Sequence, residues 1–411
     1  MKETFFLQVT PGFEKLAKQE FALKFPGLFP SIATPEGIIE KGGITIELPL
    51  AAGFQLNYWL KIPNRILLRV SQFKCRDLPK FYNKVSKINW SPYFAGQDYE
   101  FHISSSESRL FDSRRIEKAL KDGLDKSLKN QEPKKKARQR VETTKDWHLF
   151  CRFENDWCTL SVDTSGERLG KRGYKSKVGL APLRENLAAG LYLYTLLSCP
   201  PTETLEWEKH FKEYGTPSLT LVDPFCGSGT LLLEAALFYE PNLFRNFSFE
   251  FFPLWENKST PLKKNNRPSA LNLDLPLFLV GSDIEQDRIK DTEANLKEAG
   301  LQGTHHALNL GDICSKEFGQ KAAREIFSNS QIVAWCMMNP PYGKRIKQPI
   351  DHFDLLETLS NWGPWQRIGV LLPQAQKLKK LPNGVKLISS LQFENGGEKV
   401  SYFLYEKELS K

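Results

Sequence analysis

Asn339-Pro340-Pro341-Tyr342-Gly343 follows an apolar run, Val333-Ala334-Trp335-Cys336-Met337-Met338, that reads as a buried strand. Two prolines stiffen the loop and remove two backbone donors, which leaves its carbonyls free to accept. The Asn339 amide and the Pro340 carbonyl can hold both hydrogens of an exocyclic amine. Tyr342 beside them offers a face on which a base can stack. Such a site suits alkylation of an aromatic amine, whose lone pair is delocalised into its ring. Accepting its hydrogen bonds draws the nitrogen towards tetrahedral geometry and frees that pair. Positioning then supplies much of the rate, and neither a metal nor a nucleophilic cysteine is required.

A second motif, Asp223-Pro224-Phe225-Cys226-Gly227-Ser228-Gly229-Thr230, lies between a short apolar strand and a helix. Gly227 and Gly229 let the backbone approach a ligand closely. The third glycine of a dinucleotide fingerprint is missing, because Leu232 occupies its position, and no Walker lysine follows. Pyrophosphate is therefore disfavoured. Asp223 before the loop suits a ligand with a positive or amino group, and S-adenosylmethionine fits better than a nucleotide phosphate. Phe225 in the same loop is counted with the cofactor residues. Asp283 ends the next apolar strand, where a carboxylate commonly accepts both ribose hydroxyls. It lies 60 residues beyond Asp223 rather than the usual ~20. The excess is 241–276, rich in Phe, Pro and Asn, which reads as an insertion beside the site. Asp312, in Asn309-Leu310-Gly311-Asp312, would end a further strand and accept from the adenine amino group; a plain turn aspartate is the alternative.

These motifs need strands to carry them. After about residue 163, buried strands alternate with helices, which predicts a parallel sheet covered on both faces. Strands are expected at 219–223, 277–283, 331–338 and 368–373, with helices at 183–197, 231–239 and 287–298. A closing hairpin is expected around Asn395-Gly396-Gly397. The first third reads differently, as strands, hairpins and a basic amphipathic helix from about Asp112 to Lys129. Hairpin turns are expected at Lys41-Gly42-Gly43 and at Glu154-Asn155-Asp156.

The 411 residues allow two to three domains. The net charge of +9 is unevenly placed. Residues 1–150 hold 26 Lys+Arg against 17 Asp+Glu, and the remainder holds 31 against 31. A basic surface of that extent attracts a polyanion by counterion release. Its densest run contains Lys134, Lys135, Lys136 and Arg138. For that run alone, a solvated loop and an RNA contact both remain open; the charge segregation favours RNA. No apolar run approaches the ~18 residues of a membrane span. The opening residues read as a strand, not a signal peptide. Seven scattered cysteines without a C-x-x-C pair fit a reducing cytoplasm and argue against structural zinc.

One further stretch, Asp163 to Tyr174 with Arg168, Lys171, Arg172 and three glycines, suits a loop at the mouth of a site, and continues to Ala181-Pro182-Leu183. That stretch, the Asp223–Thr230 motif and the Asn339–Gly343 motif together resemble the THUMP-domain RNA guanine-N2 methyltransferases. The likeness is strongest to bacterial enzymes of 23S ribosomal RNA of the type found in the N-terminal half of RlmL. It spans nearly the whole chain, including the opening Pro11-Gly12-Phe13-Glu14. It implies a Rossmann-like class I S-adenosylmethionine-dependent methyltransferase preceded by an α+β ferredoxin-like/THUMP module. The implied boundaries are a ferredoxin-like part at 1–55, a THUMP RNA-binding domain at 56–163 and the methyltransferase at 164–411. Asp223, Gly227 and Gly229 would line the methionine end of the cofactor, Asp283 the ribose and Asp312 the adenine. Asn339, Pro340 and Tyr342 would hold the guanine amino group. Arg172, Tyr174 and Pro182 would border the cofactor or the RNA. The implied product is N2-methylguanosine in ribosomal RNA, with tRNA next, in a monomeric cytoplasmic enzyme needing no metal. An N6-adenine methyltransferase and a non-catalytic RNA-binding assembly factor are the alternatives. Where family members often carry an acidic residue after the tyrosine loop, this chain has Lys344-Arg345.

Overall fold

The computed structural model describes residues 2–94, 99–129, 147–177, 183–200, 219–255, 277–302, 306–312, 315–326, 333–341, 351–363, 365–374 and 380–407. These form two compact units. One contains 2–9, 31–171 and 245–255 where described; the other contains 10–30, 172–244 and the described residues from 277 onward.

The first unit is built on one seven-stranded sheet. Its strands are β1 (Lys2–Gln8), β2 (Ile38–Glu40), β3 (Gly43–Pro49), β4 (Arg65–Lys74), β5 (Glu100–Ser106), β6 (His148–Glu154) and β7 (Trp157–Asp163). Their order is β2-β3-β1-β4-β7-β6-β5, antiparallel except for the β5–β6 pair. Both expected hairpins form. The β2–β3 turn has Gly42 at φ 82°, and the β6–β7 turn has Asn155 at 50° and Asp156 at 64°. Positive φ at both central residues gives the turn twist that matches a right-twisted hairpin. In β6, Leu149, Cys151 and Phe153 are buried. Phe81, on helix Leu78–Val85, meets Phe153 edge-on at 5.4 Å. The basic helix runs Ser113–Lys129 and buries Ile116, Leu120 and Leu124; Asp112 caps it by accepting from the Arg114 and Arg115 amides. The opposite side of the sheet carries alternate residues such as His102, Phe150, Arg152, Trp157 and Arg69, which line a cavity of about 640 Å³.

The expected three-part division differs from these units in three places. A single sheet spans 1–55 and 56–163, because β1 pairs with both β3 and β4. Helix Glu14–Leu28 groups with the second unit. There, Phe13 fills the space above Gly190, where a Cβ would lie 2.1 Å from its ring, and meets Phe393 edge-on at 4.8 Å. Lys24 is fully buried, bonded to Glu20 Oε1 at 2.6 Å and the Phe238 carbonyl at 2.7 Å. Conversely, residues 245–255, expected as part of an insertion beside the site, belong to the first unit. Phe249 stacks on Phe54 at 4.9 Å, and Glu250 accepts from the Tyr58 hydroxyl at 3.0 Å.

The second unit carries the expected parallel sheet. Its strands are β8 (Leu219–Asp223), β9 (Leu277–Asp283), β10 (His306–Leu310), β11 (Val333–Met338), β12 (Trp365–Pro373), β13 (Val385–Asn395) and β14 (Glu398–Lys407). The order is β10-β9-β8-β11-β12-β14-β13. The first five are mutually parallel, and the closing β13–β14 hairpin adds antiparallel to β12. Cys336, Met338, Leu356, Leu359, Trp365 and Ile368 are among its core residues. Strand order reverses at β8, with β9 and β10 on one side and β11 and β12 on the other. Open parallel sheets bind ligands at such a switch point, beyond the carboxyl ends of the strands.

Candidate active site

Four sequence-predicted residues lie at that carboxyl edge. Asp223 ends β8 opposite Gly281 of β9, so Asp283 stands two residues further along the neighbouring strand. Leu310 pairs with Asp283, which carries Asp312 just beyond β10. Cys336 pairs with Val222, and Asn339 therefore follows the end of β11.

The loop after β8 is held by the end of β9 and by the helix that follows it. Gly227 donates its amide to Asp283 Oδ2 at 3.0 Å, and Cys226 donates to the Ser282 carbonyl at 2.9 Å. Thr292 Oγ1 donates to the Gly227 carbonyl at 2.9 Å. Asn295 Nδ2 donates to the Ser228 carbonyl at 3.0 Å. Both side chains come from the buried face of helix Gln286–Glu298. Gly227 and Gly229 have φ of 55° and 79°, backbone that side chains rarely adopt. A Cβ on Gly229 would meet Thr292 Cγ2 at 2.8 Å, whereas one on Gly227 would meet nothing within 4 Å. Gly227 thus borders open space, as a loop that cradles a cofactor must.

Asp223 is buried and accepts from the Phe225 amide at 3.1 Å. Burial pushes its carboxyl up to about 8; the Phe225 bond opposes the rise and the Asp283 charge adds to it. A cationic group placed beside this buried carboxyl would favour its ionised form. Phe225 is partly buried against the core below the loop. Asp283 Oδ1 accepts from the Glu285 amide at 3.0 Å, and Asp312 is exposed. Asn339 Oδ1 is buried and has no hydrogen-bond partner among the described residues. Pro340 beside it is buried. An orphaned acceptor of this kind is destabilising unless a donor arrives.

Arg172 and Tyr174, expected to border cofactor or RNA, turn inward instead. Arg172 grips Glu234 with Nε at 3.1 Å and Nη2 at 2.8 Å, and the Tyr174 hydroxyl donates to the same carboxylate. All three are buried, so a direct RNA contact would have to dismantle the cluster. Lys175 continues the pattern, donating to Thr230 Oγ1 at 2.6 Å. Residues 172–175 therefore anchor helix Thr230–Ala236, which begins at the glycine loop. Tyr342, Pro182, Lys134, Lys135, Lys136 and Arg138 lie outside the described residues.

Sequence reasoning missed Glu234, Thr292 and Asn295. Glu234 had a signal: a lone carboxylate within Leu231-Leu232-Leu233-Glu234-Ala235-Ala236 is a charge in an apolar helix and needs a buried partner. Thr292 and Asn295 had none, since either would pass for the polar face of a surface helix.

Comparison with known proteins agrees with this geometry. Residues 215–363 match the family model described as "UPF0020: RMKL-like, methyltransferase domain". "Putative RNA methyltransferase YpsC" of Bacillus subtilis (strain 168) is 27% identical over 381 residues, covering 89% of each chain. "Ribosomal RNA large subunit methyltransferase K/L" of Shewanella sp. (strain W3-18-1) is 25% identical over 98% of this chain. The chain spans only about half of that relative, 52% of its length. Among solved structures, a "predicted N6-adenine-specific DNA methylase" from Listeria monocytogenes superposes with a TM-score of 0.71 at 22% identity, covering 98% and 96% of the two chains. "SMU.472, a putative methyltransferase complexed with SAH" has a TM-score of 0.69 at 20% identity, covering 100% and 99%. The second unit is a Rossmann-like methyltransferase fold. The open space at Gly227 and the buried acid at Asp223 suit S-adenosylmethionine.

Proposed function

We propose that this chain is an RNA methyltransferase that forms N2-methylguanosine, most readily in 23S ribosomal RNA. The observation that carries the reading is the buried, unpartnered Asn339 Oδ1 at the end of β11, on the same sheet edge as Asp223 and Asp283. It is an acceptor with no donor among the described residues, as a site for an exocyclic amine requires. Bound S-adenosylmethionine supplies an electrophilic methyl group. The chain's residues hold and orient: Asp223, Gly227 and Gly229 at the methionine end, Asp283 at the ribose and Asp312 at the adenine. Asn339 and the Pro340 carbonyl accept from the target amine, and Tyr342 stacks on its base.

The RNA assignment draws on the charge excess within residues 1–150 and on the names of the K/L and YpsC relatives. The first unit acts as a ferredoxin-like and THUMP-type module that grips RNA by backbone and shape, with the target base flipped into the pocket. The enzyme works in the cytoplasm as a monomer. No helix among the described residues is long and apolar enough to cross a membrane.

Methylation of tRNA by the same chemistry is the second reading, and N6-methylation of adenine the third, which the name of the Listeria relative favours. The test is transfer of labelled methyl to unmodified 23S rRNA and unmodified tRNA in parallel, followed by nucleoside analysis. N2-methylguanosine in the ribosomal RNA alone is expected. N2-methylguanosine in tRNA alone would reassign the substrate, and N6-methyladenosine would reassign the base.

A further inference from the structure

We propose that Glu100, His102 and His148 form a binding site for a zinc-class divalent cation on the first unit, separate from the methyl-transfer chemistry. Parallel pairing of β5 and β6 sets Glu100 opposite His148. Glu100 and His102 are two residues apart on β5 and so share one face of the sheet. Three donors from two strands therefore converge. His102 Nε2 lies 2.9 Å from His148 Nδ1, and each nitrogen lies 3.7 Å from a Glu100 oxygen. Donors around tetrahedral zinc sit at about 2.0–2.2 Å from the ion, hence roughly 3.3 Å from one another. The three observed separations bracket that spacing, so an ion enters with side-chain shifts of a few tenths of an ångström.

The ring of His102 is fixed by stacking on Phe150 at 4.5 Å and 20°. Arg65 faces both rings, Arg168 faces His102 and Glu167 faces His148. Arg65 is itself bound by Asp163 and the Gly166 carbonyl, so its charge is largely offset. His148 is 6% exposed, His102 33% and Glu100 63%, so the site is seated in the sheet at one side and open at the other. Water or a substrate oxygen completes the fourth position. Without the ion, the two imidazoles share one hydrogen bond and Glu100 contacts both only at 3.7 Å. The bound ion would fasten β5, at the end of the strand order, to β6. Cysteine spacing could not reveal such a site, because its ligands are histidine and glutamate on two strands.

The test uses the full chain stripped of metal by chelation, titrated with zinc alone by calorimetry and with cobalt(II) by visible absorption. One equivalent of zinc is expected to bind and to raise Tm, because it binds the folded state. His102→Gln and His148→Gln should each remove that equivalent, and Glu100→Gln should weaken it by at least about tenfold. Affinity for S-adenosylmethionine should be the same in wild type and in His102→Gln. Because His102 is partly exposed, His102→Gln serves if His148→Gln does not fold. Absence of zinc binding overturns the proposal. So does zinc binding of equal stoichiometry in wild type and His102→Gln, which would locate the ion elsewhere.

Discussion

Gly227 donates its amide to Asp283 Oδ2 at 3.0 Å, although the two residues are 56 positions apart in sequence. The bond joins the glycine loop after β8 to the carboxylate that ends β9. One oxygen of Asp283 therefore shapes the loop while the other accepts from Glu285. The same carboxylate is proposed to hold the cofactor ribose. Asp283→Ala should then fail twice, through the lost ribose contact and through a released Gly227. Calorimetry should show S-adenosylmethionine affinity at least about 100-fold weaker, given two charge-assisted bonds of ~1.5 kcal/mol or more each. Wild-type affinity in the variant would contradict the assignment.

Asn339→Ala separates binding from chemistry. Its Oδ1 has no partner among the described residues, so truncation removes no described bond. Cofactor affinity should stay near wild type, and Tm should not fall. Single-turnover methyl transfer should fall about 10²-fold or more, the usual loss when one preorganised polar group is removed from a reacting centre. A variant with unimpaired transfer would remove Asn339 from the mechanism.

Glu234 stands at the centre of a buried cluster with Arg172 and Tyr174. Glu234→Ala strands a buried guanidinium and should destabilise the chain by ~3–5 kcal/mol. Glu234→Leu combined with Arg172→Met should recover most of that loss, because no charge is left unpaired. Chemical denaturation of the three proteins decides the matter. If the double variant is as unstable as Glu234→Ala, the pairing is not the reason.

The charge state of Asp223 makes a pH prediction. Its carboxyl is raised to about 8, so the folded chain keeps a proton that the unfolded chain has released at neutral pH. That contribution to stability is full below the unfolded value, about 3.9, and is lost as pH rises towards the folded one. Tm of the unliganded protein should fall between about pH 5 and pH 8, and Asp223→Asn should flatten the slope. Cofactor affinity should rise over the same window if an ionised Asp223 meets its amino group. A pH-independent affinity, equal in Asp223→Asn, would exclude that contact.

The parallel sheet was legible because buried strands leave continuous apolar runs, such as Val333–Met338, and end in chemically distinctive loops. The hairpin turns were legible because Gly42, Asn155, Asp156, Gly396 and Gly397 all need positive φ. Asp223 and Asp283 could be paired from sequence only by assuming adjacent strands, and the register between β8 and β9 supplies that adjacency. That Arg172 and Tyr174 are buried was not legible, because a basic, glycine-rich segment looks exposed. Their partner, Glu234, lies about 60 residues later in a different element. Nothing local marks residues 10–30 as companions of the second sheet, since Phe13 meets Gly190 and Phe393 only in the folded chain.

Guanine-N2 transfer at Asn339 is tested most directly by nucleoside analysis of RNA methylated by the wild-type chain and by Asn339→Ala, each saturated with labelled S-adenosylmethionine. Labelled N2-methylguanosine is expected from the wild type and almost none from the variant. Label recovered as N6-methyladenosine, or N2-methylguanosine formed equally by both proteins, would contradict that role.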